Sequence, residues 1–144
     1  SRDLKISNYV EFVGPIPPET MPDHFAEADL FCFPSVREFG GAVVLEAMAS
    51  GVPCIVADHG GIGEYVSDHA GVRIKPKSRE YLIDAMADAI VSFDQDREKL
   101  KEFGASAREC ARPYLWKNKA AAILEKIEGA VAEKAEGGGV VLSA

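Results

Sequence analysis

Pro53-Cys54-Ile55-Val56-Ala57, with Gly51 before it and Asp58-His59-Gly60-Gly61 after it, is the stretch on which the fold turns. It offers no polar side chain to a wet face, so as a strand it belongs in a sheet covered on both sides. Upstream, Gly41 to Ala49 reads as a helix closed by Gly51, a residue suited to the left-handed position past a helix end. Downstream, Gly61 to Val66 reads as a second, short helix. The same alternation extends in both directions. Leu30-Phe31-Cys32-Phe33 is a nearly wholly apolar strand ended by Pro34-Ser35. Before it, Pro22 opens a helix through Ala28, with Thr20 placed to cap it. Tyr9-Val10-Glu11-Phe12-Val13 reads as a strand stopped by Gly14-Pro15-Ile16-Pro17-Pro18, and Gly71-Val72-Arg73-Ile74 as another. Apolar strands separated by helices predict parallel pairing with crossover connections. The expected fold class is therefore α/β, a parallel sheet of about four strands with flanking helices.

Beyond Ile74 the periodicity is helical only. Ser78 to Phe93 carries Leu82, Ile83, Met86, Ala89 and Ile90 at helical spacing. Asp96 to Cys110 is a more charged helix with a solvated face. Trp116 to Glu136 places Ala120, Ile123, Leu124, Ile127 and Val131 on one stripe, with Trp116 expected to pack that helix. Gly137-Gly138-Gly139 ends it, so residues 1–136 are expected to form the domain and 137–144 a flexible tail.

Composition excludes several classes. The 144 residues carry 16 Lys and Arg against 23 Asp and Glu, a net charge of −7, which argues against a nucleic-acid partner. No apolar run approaches the ~18 residues of a membrane span, and the start has no signal-peptide pattern; the expected location is cytoplasmic. Cys32, Cys54 and Cys110 are odd in number and widely spaced, which suits reduced, buried thiols better than a disulfide framework or zinc site. His24, His59 and His69 have no paired ligand motif beside them. Ser35 and Ser67 lack a nucleophile-elbow context. Asp58-His59 reads as a polar loop pair, and Arg73 and Lys75 as solvated charges at a strand exit.

The chemistry concentrates between Pro34 and Glu64. Two strands end there in glycine-bearing loops that open helices, Phe39-Gly40-Gly41 and His59-Gly60-Gly61-Ile62-Gly63. Free N–H groups at such helix starts favour anions, and glycine lets a ligand approach the backbone. Neither loop matches the dinucleotide fingerprint or the P-loop. Glu46 interrupts Ala42-Val43-Val44-Leu45-Glu46-Ala47-Met48-Ala49, a helix otherwise apolar on every side and so expected to be buried. A carboxylate there needs hydrogen-bond donors, and the paired hydroxyls of a ribose would supply two. The alternative is a buried ion pair with a distant Lys or Arg, or a cap on another helix. Glu38, in the loop above the helix, is placed to share one crevice with Glu46, the Gly40-Gly41 amides lying between them.

Taken together, Phe33-Pro34-Ser35, Glu38 and Glu46 seven residues apart, Ala47-Met48-Ala49, Gly51, Pro53, and Gly60-Gly61 followed by Glu64 and Val66 resemble the donor-binding part of a family 4 (group 1) retaining glycosyltransferase of GT-B fold. Val10 to Gly14, Ala28 to Phe31 and Leu115-Trp116 agree, so the resemblance spans about residues 8 to 134. It implies a Rossmann-like half of a GT-B enzyme that moves a hexosyl group from a nucleotide-sugar to an acceptor. It implies that Glu46 binds the nucleotide ribose, and that Glu38 meets the donor-sugar hydroxyls as the catalytic carboxylate. It places the amides of Phe39, Gly40, Gly41 and Ala42 on sugar and diphosphate, and Gly14, Pro15 and Ile16 near the base. No cofactor and no metal are implied, the nucleotide-sugar being the donor substrate.

The family's usual loop is Glu-Gly-Phe-Gly, whereas this chain has Glu38-Phe39-Gly40-Gly41. The family's phosphate-binding Arg and Lys precede the position of Gly14 by many tens of residues. The chain is accordingly expected to be a truncated donor-binding domain, inactive alone, whose saccharide, lipid or small-molecule acceptor is held by an N-terminal domain. An unpaired sheet edge is expected to favour a homo-oligomer, and the full-length enzyme to make peripheral membrane contact. A nucleotide-sugar 2-epimerase of GT-B fold and a non-catalytic nucleotide-sugar binding module are the alternative readings.

Overall fold

The computed structural model describes residues 5–136. Three strands form among them, β1 (Phe31–Phe33), β2 (Cys54–Ala57) and β3 (Gly71–Ile74). They pair in parallel in the order β1-β2-β3, Cys54 standing opposite Phe31 on one side and Gly71 on the other. All four residues of the central strand are buried. Because side chains alternate along a strand, Cys54 and Val56 enter one core while Ile55 and Ala57 enter a second on the opposite face.

Helices α1 (Met21–Ala26), α2 (Ala42–Ala49) and α3 (Ile62–Tyr65) cover the first face with Phe25, Val44, Ala47, Met48 and Ile62. Helix α4 (Arg79–Gln95) covers the second, setting Leu82, Met86 and Phe93 against Ile55, Ala57 and Ile74. Helix α5 (Arg97–Ala111) joins the two cores, with Leu100 in the second and Ala107 and Ala111 in the first. It can do so because Gly104 presses against the turn between α2 and β2: a Cβ there would overlap the Gly51 carbonyl oxygen and stand 3.6 Å from Pro53 Cδ. Arg108 holds the same junction, donating from Nη2 to the Ser50 carbonyl at 2.9 Å. Helix α6 (Trp116–Glu136) follows. Ser78 and Asp96 cap α4 and α5, their side-chain oxygens accepting from the N–H of Tyr81 at 3.1 Å and Lys99 at 3.0 Å.

The α/β class expected from the sequence holds, with three strands among the described residues. Tyr9–Val13 does not pair. Tyr9 instead closes a 3-10 turn by donating to the Ile6 carbonyl at 3.0 Å, and Tyr9 and Phe12 lie in solvent. Apolar content supplies strand propensity only, and a strand exists when a neighbour completes its ladder. Thr20 makes no side-chain cap; its hydroxyl donates to the Pro17 carbonyl at 2.9 Å, within the turn Pro18–Thr20 that precedes α1. The α6 stripe is exposed at Ile123, Leu124, Ile127 and Val131, and Trp116, expected to pack that helix, is 89% exposed. The charged face of α5 is solvated at Lys101–Glu98 and Arg112–Glu109, but Arg97 reaches across to Asp29 at 2.9 Å. The tail expected at 137–144 lies outside the described residues.

Of the three thiols, only Cys54 is fully buried; Cys32 is exposed on the outer strand β1 and Cys110 is half-buried beside Ser67. An edge strand has sheet on one side only, which is why apolar neighbours in sequence do not enclose Cys32. Burial, with a smaller contribution from the nearby Cys32, pushes the Cys54 thiol up to about 12. At pH 8 only about one molecule in 10⁴ would carry the Cys54 thiolate. Time-resolved alkylation should therefore label Cys32 first and reach Cys54 only after unfolding. In urea melts, Gly104→Ala should cost about 1–3 kcal/mol through overpacking. Gly129→Ala, on α6 with nothing within 4 Å of the added methyl, should gain about 0.5–1 kcal/mol of helix propensity.

Candidate functional site

In a parallel sheet the loops that leave the strands gather at one end, over the carboxyl termini. Here the loops after β1 and β2 lie against each other through glycine. A Cβ on Gly60, whose φ is +60°, would stand 3.1 Å from the Glu38 carbonyl oxygen, and one on Gly61 would stand 3.1 Å from that of Phe39. Gly41 precedes α2 at φ +53°, and a Cβ on it would meet Ile62 Cγ1 at 2.7 Å. Conformation and space both require glycine there.

Packed in this way, the loop presents three consecutive backbone donors to one acceptor. Glu38 Oε1 accepts from the N–H of Phe39 at 3.1 Å, Gly40 at 3.4 Å and Gly41 at 3.3 Å. Glu38 is half-buried, while the neighbouring Phe39 is 96% exposed. The amide cluster expected from the glycines is therefore present, and a carboxylate of the chain itself occupies it.

Glu46 is exposed, not buried as the composition of its helix implied. Val44, Ala47 and Met48 face the core, whereas Ala42, Glu46 and Ala49 share the outer side. Alanine tolerates either environment, so a helix whose outer side carries Glu46 between two alanines can still lie at the surface. From Ala42 to Glu46 the helix rises about 6 Å on one face, which puts the carboxylate one turn below the amide loop.

Glu46 borders a cleft of about 680 Å³ that also contains Ile16, Met21, Phe25 and Val43. Thirty residues apart in sequence, Ile16 and Glu46 are thus brought to one cavity. Gly14 and Pro15 lead into it as exposed chain, and Glu38 does not line it. On its other side Glu46 borders a smaller cleft of about 280 Å³ with Ala42, Tyr114, Leu115 and Trp116. Tyr114 was not foreseen: it is held by an edge-to-face contact with Tyr65, ring centroids 5.0 Å apart, which links two distant parts of the chain. The Leu115-Trp116 pair was the only local signal near it.

Other candidates lie elsewhere. Arg73 is committed to an ion pair with Asp68, and its Nη1 also donates to the Gly63 carbonyl at 3.5 Å. The hydrogen bond from Arg73 Nη2 to Asp68 Oδ1, together with the attraction between the two charges, holds the Asp68 carboxyl below its usual range and raises Arg73. Asp58 packs against Gly63, where a Cβ would overlap its carboxylate. His59 is exposed and borders a separate groove with Lys77 and Arg79. Among the described residues no group of three or more His, Cys, Asp or Glu could hold a metal ion, and no helix is long and apolar enough to cross a membrane.

The family model described as glycosyl transferases group 1 matches residues 1–109. The chain belongs to the group 1 glycosyltransferases. This glycosyltransferase chain is 36% identical over 132 residues to a D-inositol 3-phosphate glycosyltransferase of Nocardia farcinica, covering 91% of this chain and 28% of that protein. It is 31% identical over 138 residues to a GDP-mannose-dependent alpha-(1-6)-phosphatidylinositol monomannoside mannosyltransferase of Mycobacterium tuberculosis, covering 90% and 35%. Among solved structures it is similar to sucrose-phosphate synthase from Thermosynechococcus elongatus, with a TM-score of 0.78 and 26% identity over 91% of this chain and 32% of that one. The chain thus spans about a third of the length of these relatives. Its parallel sheet and flanking helices are those expected for a GT-B glycosyltransferase.

Because Gly41 combines positive φ with a tight approach to Ile62, Gly41→Ala should destabilise the glycosyltransferase chain by about 1–3 kcal/mol. It should also shift the amide resonances of Phe39 and Gly40, read in a heteronuclear spectrum. Unchanged resonances would show that the loop does not depend on this residue.

Proposed function

We propose that this chain is the donor-binding part of a retaining glycosyltransferase that transfers a hexosyl group from a nucleotide-sugar to a saccharide, lipid or small-molecule acceptor. The observation that carries the reading is the cleft shared by Ile16 and Glu46, one helical turn from the amide loop of Phe39, Gly40 and Gly41. A base seated near Ile16 would bring its ribose to Glu46, whose carboxylate can accept two hydroxyl donors at once. The diphosphate would then extend along α2 toward its N-terminus, where free N–H groups and the helix dipole favour negative charge. In this reading the loop amides stabilise the departing nucleoside diphosphate as charge develops on it. Glu38, at the head of the same loop, meets the sugar hydroxyls as the catalytic carboxylate. The relatives' printed activities, transfer to inositol 3-phosphate or to a phosphatidylinositol mannoside, support hexosyl transfer as the reaction class.

The exposed position of Glu46 makes a clean experiment available. Glu46→Ala should leave the unfolding free energy within about 0.5 kcal/mol, as for surface substitutions generally. Removal of two charge-assisted hydrogen bonds should weaken nucleoside diphosphate binding by on the order of tenfold or more. Titration calorimetry against a panel of nucleoside diphosphates, beside a thermal melt, reads both. Unchanged affinity across the panel would remove the ribose role. Binding retained in wild type without sugar turnover by the full-length protein would favour a non-catalytic binding module.

A further inference from the structure

We propose that Glu38 is a self-inhibitory plug: its carboxylate occupies the loop's three amides in the unliganded chain and must leave them before an anion of the donor can enter. The inference rests on the reading of this loop as the diphosphate-facing part of a nucleotide-sugar site. Three successive donors, Phe39, Gly40 and Gly41, converge on the single atom Oε1 at 3.1–3.4 Å. A carboxylate oxygen and a phosphate oxygen carry the same sign of charge and seek the same donors, so the two are mutually exclusive at these amides. The contact is intramolecular, and no competing anion has to be recruited from solvent.

The geometry also suits release. Glu38 is only half-buried, two of its three hydrogen bonds are longer than the ordinary N–H···O range, and among the described residues no salt bridge ties the carboxylate down. The flanking backbone, by contrast, is held: the carbonyls of Glu38 and Phe39 rest on Gly60 and Gly61, and Gly41 rests on Ile62. The side chain can therefore swing while the amides stay in place. Once displaced, the same carboxylate is free to accept hydroxyl donors, so entry of the phosphate and release of Glu38 toward the sugar become one event. An anion without a sugar meets only the competition.

Inorganic pyrophosphate is the probe that isolates this competition, since it offers no base, ribose or hexose. Titrations at constant ionic strength, followed on the Phe39, Gly40 and Gly41 amide resonances, should give midpoints about two- to fivefold lower in Glu38→Gln and Glu38→Ala than in wild type, the range expected for one charge at a helix N-terminus. The three resonances should already move in both variants before ligand is added. A nucleotide-sugar should show no such gain, because it loses the hydroxyl contact together with the plug. Equal or higher pyrophosphate midpoints in the variants, or no titration of these amides in them, would overturn the proposal. Loss of the folded spectrum in both would do the same, by making Glu38 a structural cap. Failure of the donor reading is seen separately, as nucleoside diphosphate affinity that Glu46→Ala leaves unchanged.

Discussion

The structure depends on the double burial of one four-residue strand. Cys54 and Val56 fill one core and Ile55 and Ala57 the other, so β2 can be stable only with helices on both faces. Everything that positions the candidate site follows from meeting that demand. Helix α2 must lie on the first face to cover Val56, and α4 on the second to cover Ile55 and Ala57. The loops that lead into α2 and α3 are thereby held together over the carboxyl end of the sheet. Helix α5 ties the two cores through Gly104 and Arg108 at the opposite end of β2. The loop glycines thus meet on a scaffold whose central strand is buried on both faces.

Helix α2 shows how one short element serves core and site together. Its inner side supplies Val44, Ala47 and Met48 to the core, and its outer side carries Glu46 between two clefts. Its N-terminus holds the amide loop, so each face and end has a separate task. A chain of net charge −7 has no general field that attracts a diphosphate. Three amides in one loop are, by contrast, a concentrated local source of positive dipole. Glu38 Oε1 accepts from all three, so the loop satisfies its own amides.

Much of the fold was legible in the residues themselves. The apolar run Cys54–Ala57, the proline and glycine stops around it and the helix starts at Ser78 and Asp96 all report local preferences, and local preference decided those elements. Glu38, Glu46 and the intervening glycines were legible as one loop-and-helix segment, but Glu46 borders the cleft with Ile16 and Glu38 does not line it. Tyr9–Val13 was misleading because apolar content signals strand propensity, whereas pairing requires a neighbour. Trp116 and the α6 stripe were misleading for a related reason: helical spacing shows that a face could be buried, not that anything covers it.

The sequence by itself determined the alternation of strand and helix, the parallel sense of the sheet, the family, and which residue types could bind an anion or a ribose. These rest on period, composition and motif order, which are properties of neighbouring residues. Only the tertiary structure decided that Glu46 is exposed, that Ile16 reaches its cleft, that Cys32 is accessible while Cys54 is not, and that Glu38 turns back onto its own loop. Each depends on which distant surface lies against a given face, and the burial and electrostatics of a side chain are set by all its neighbours in space, only some of which are its neighbours along the chain.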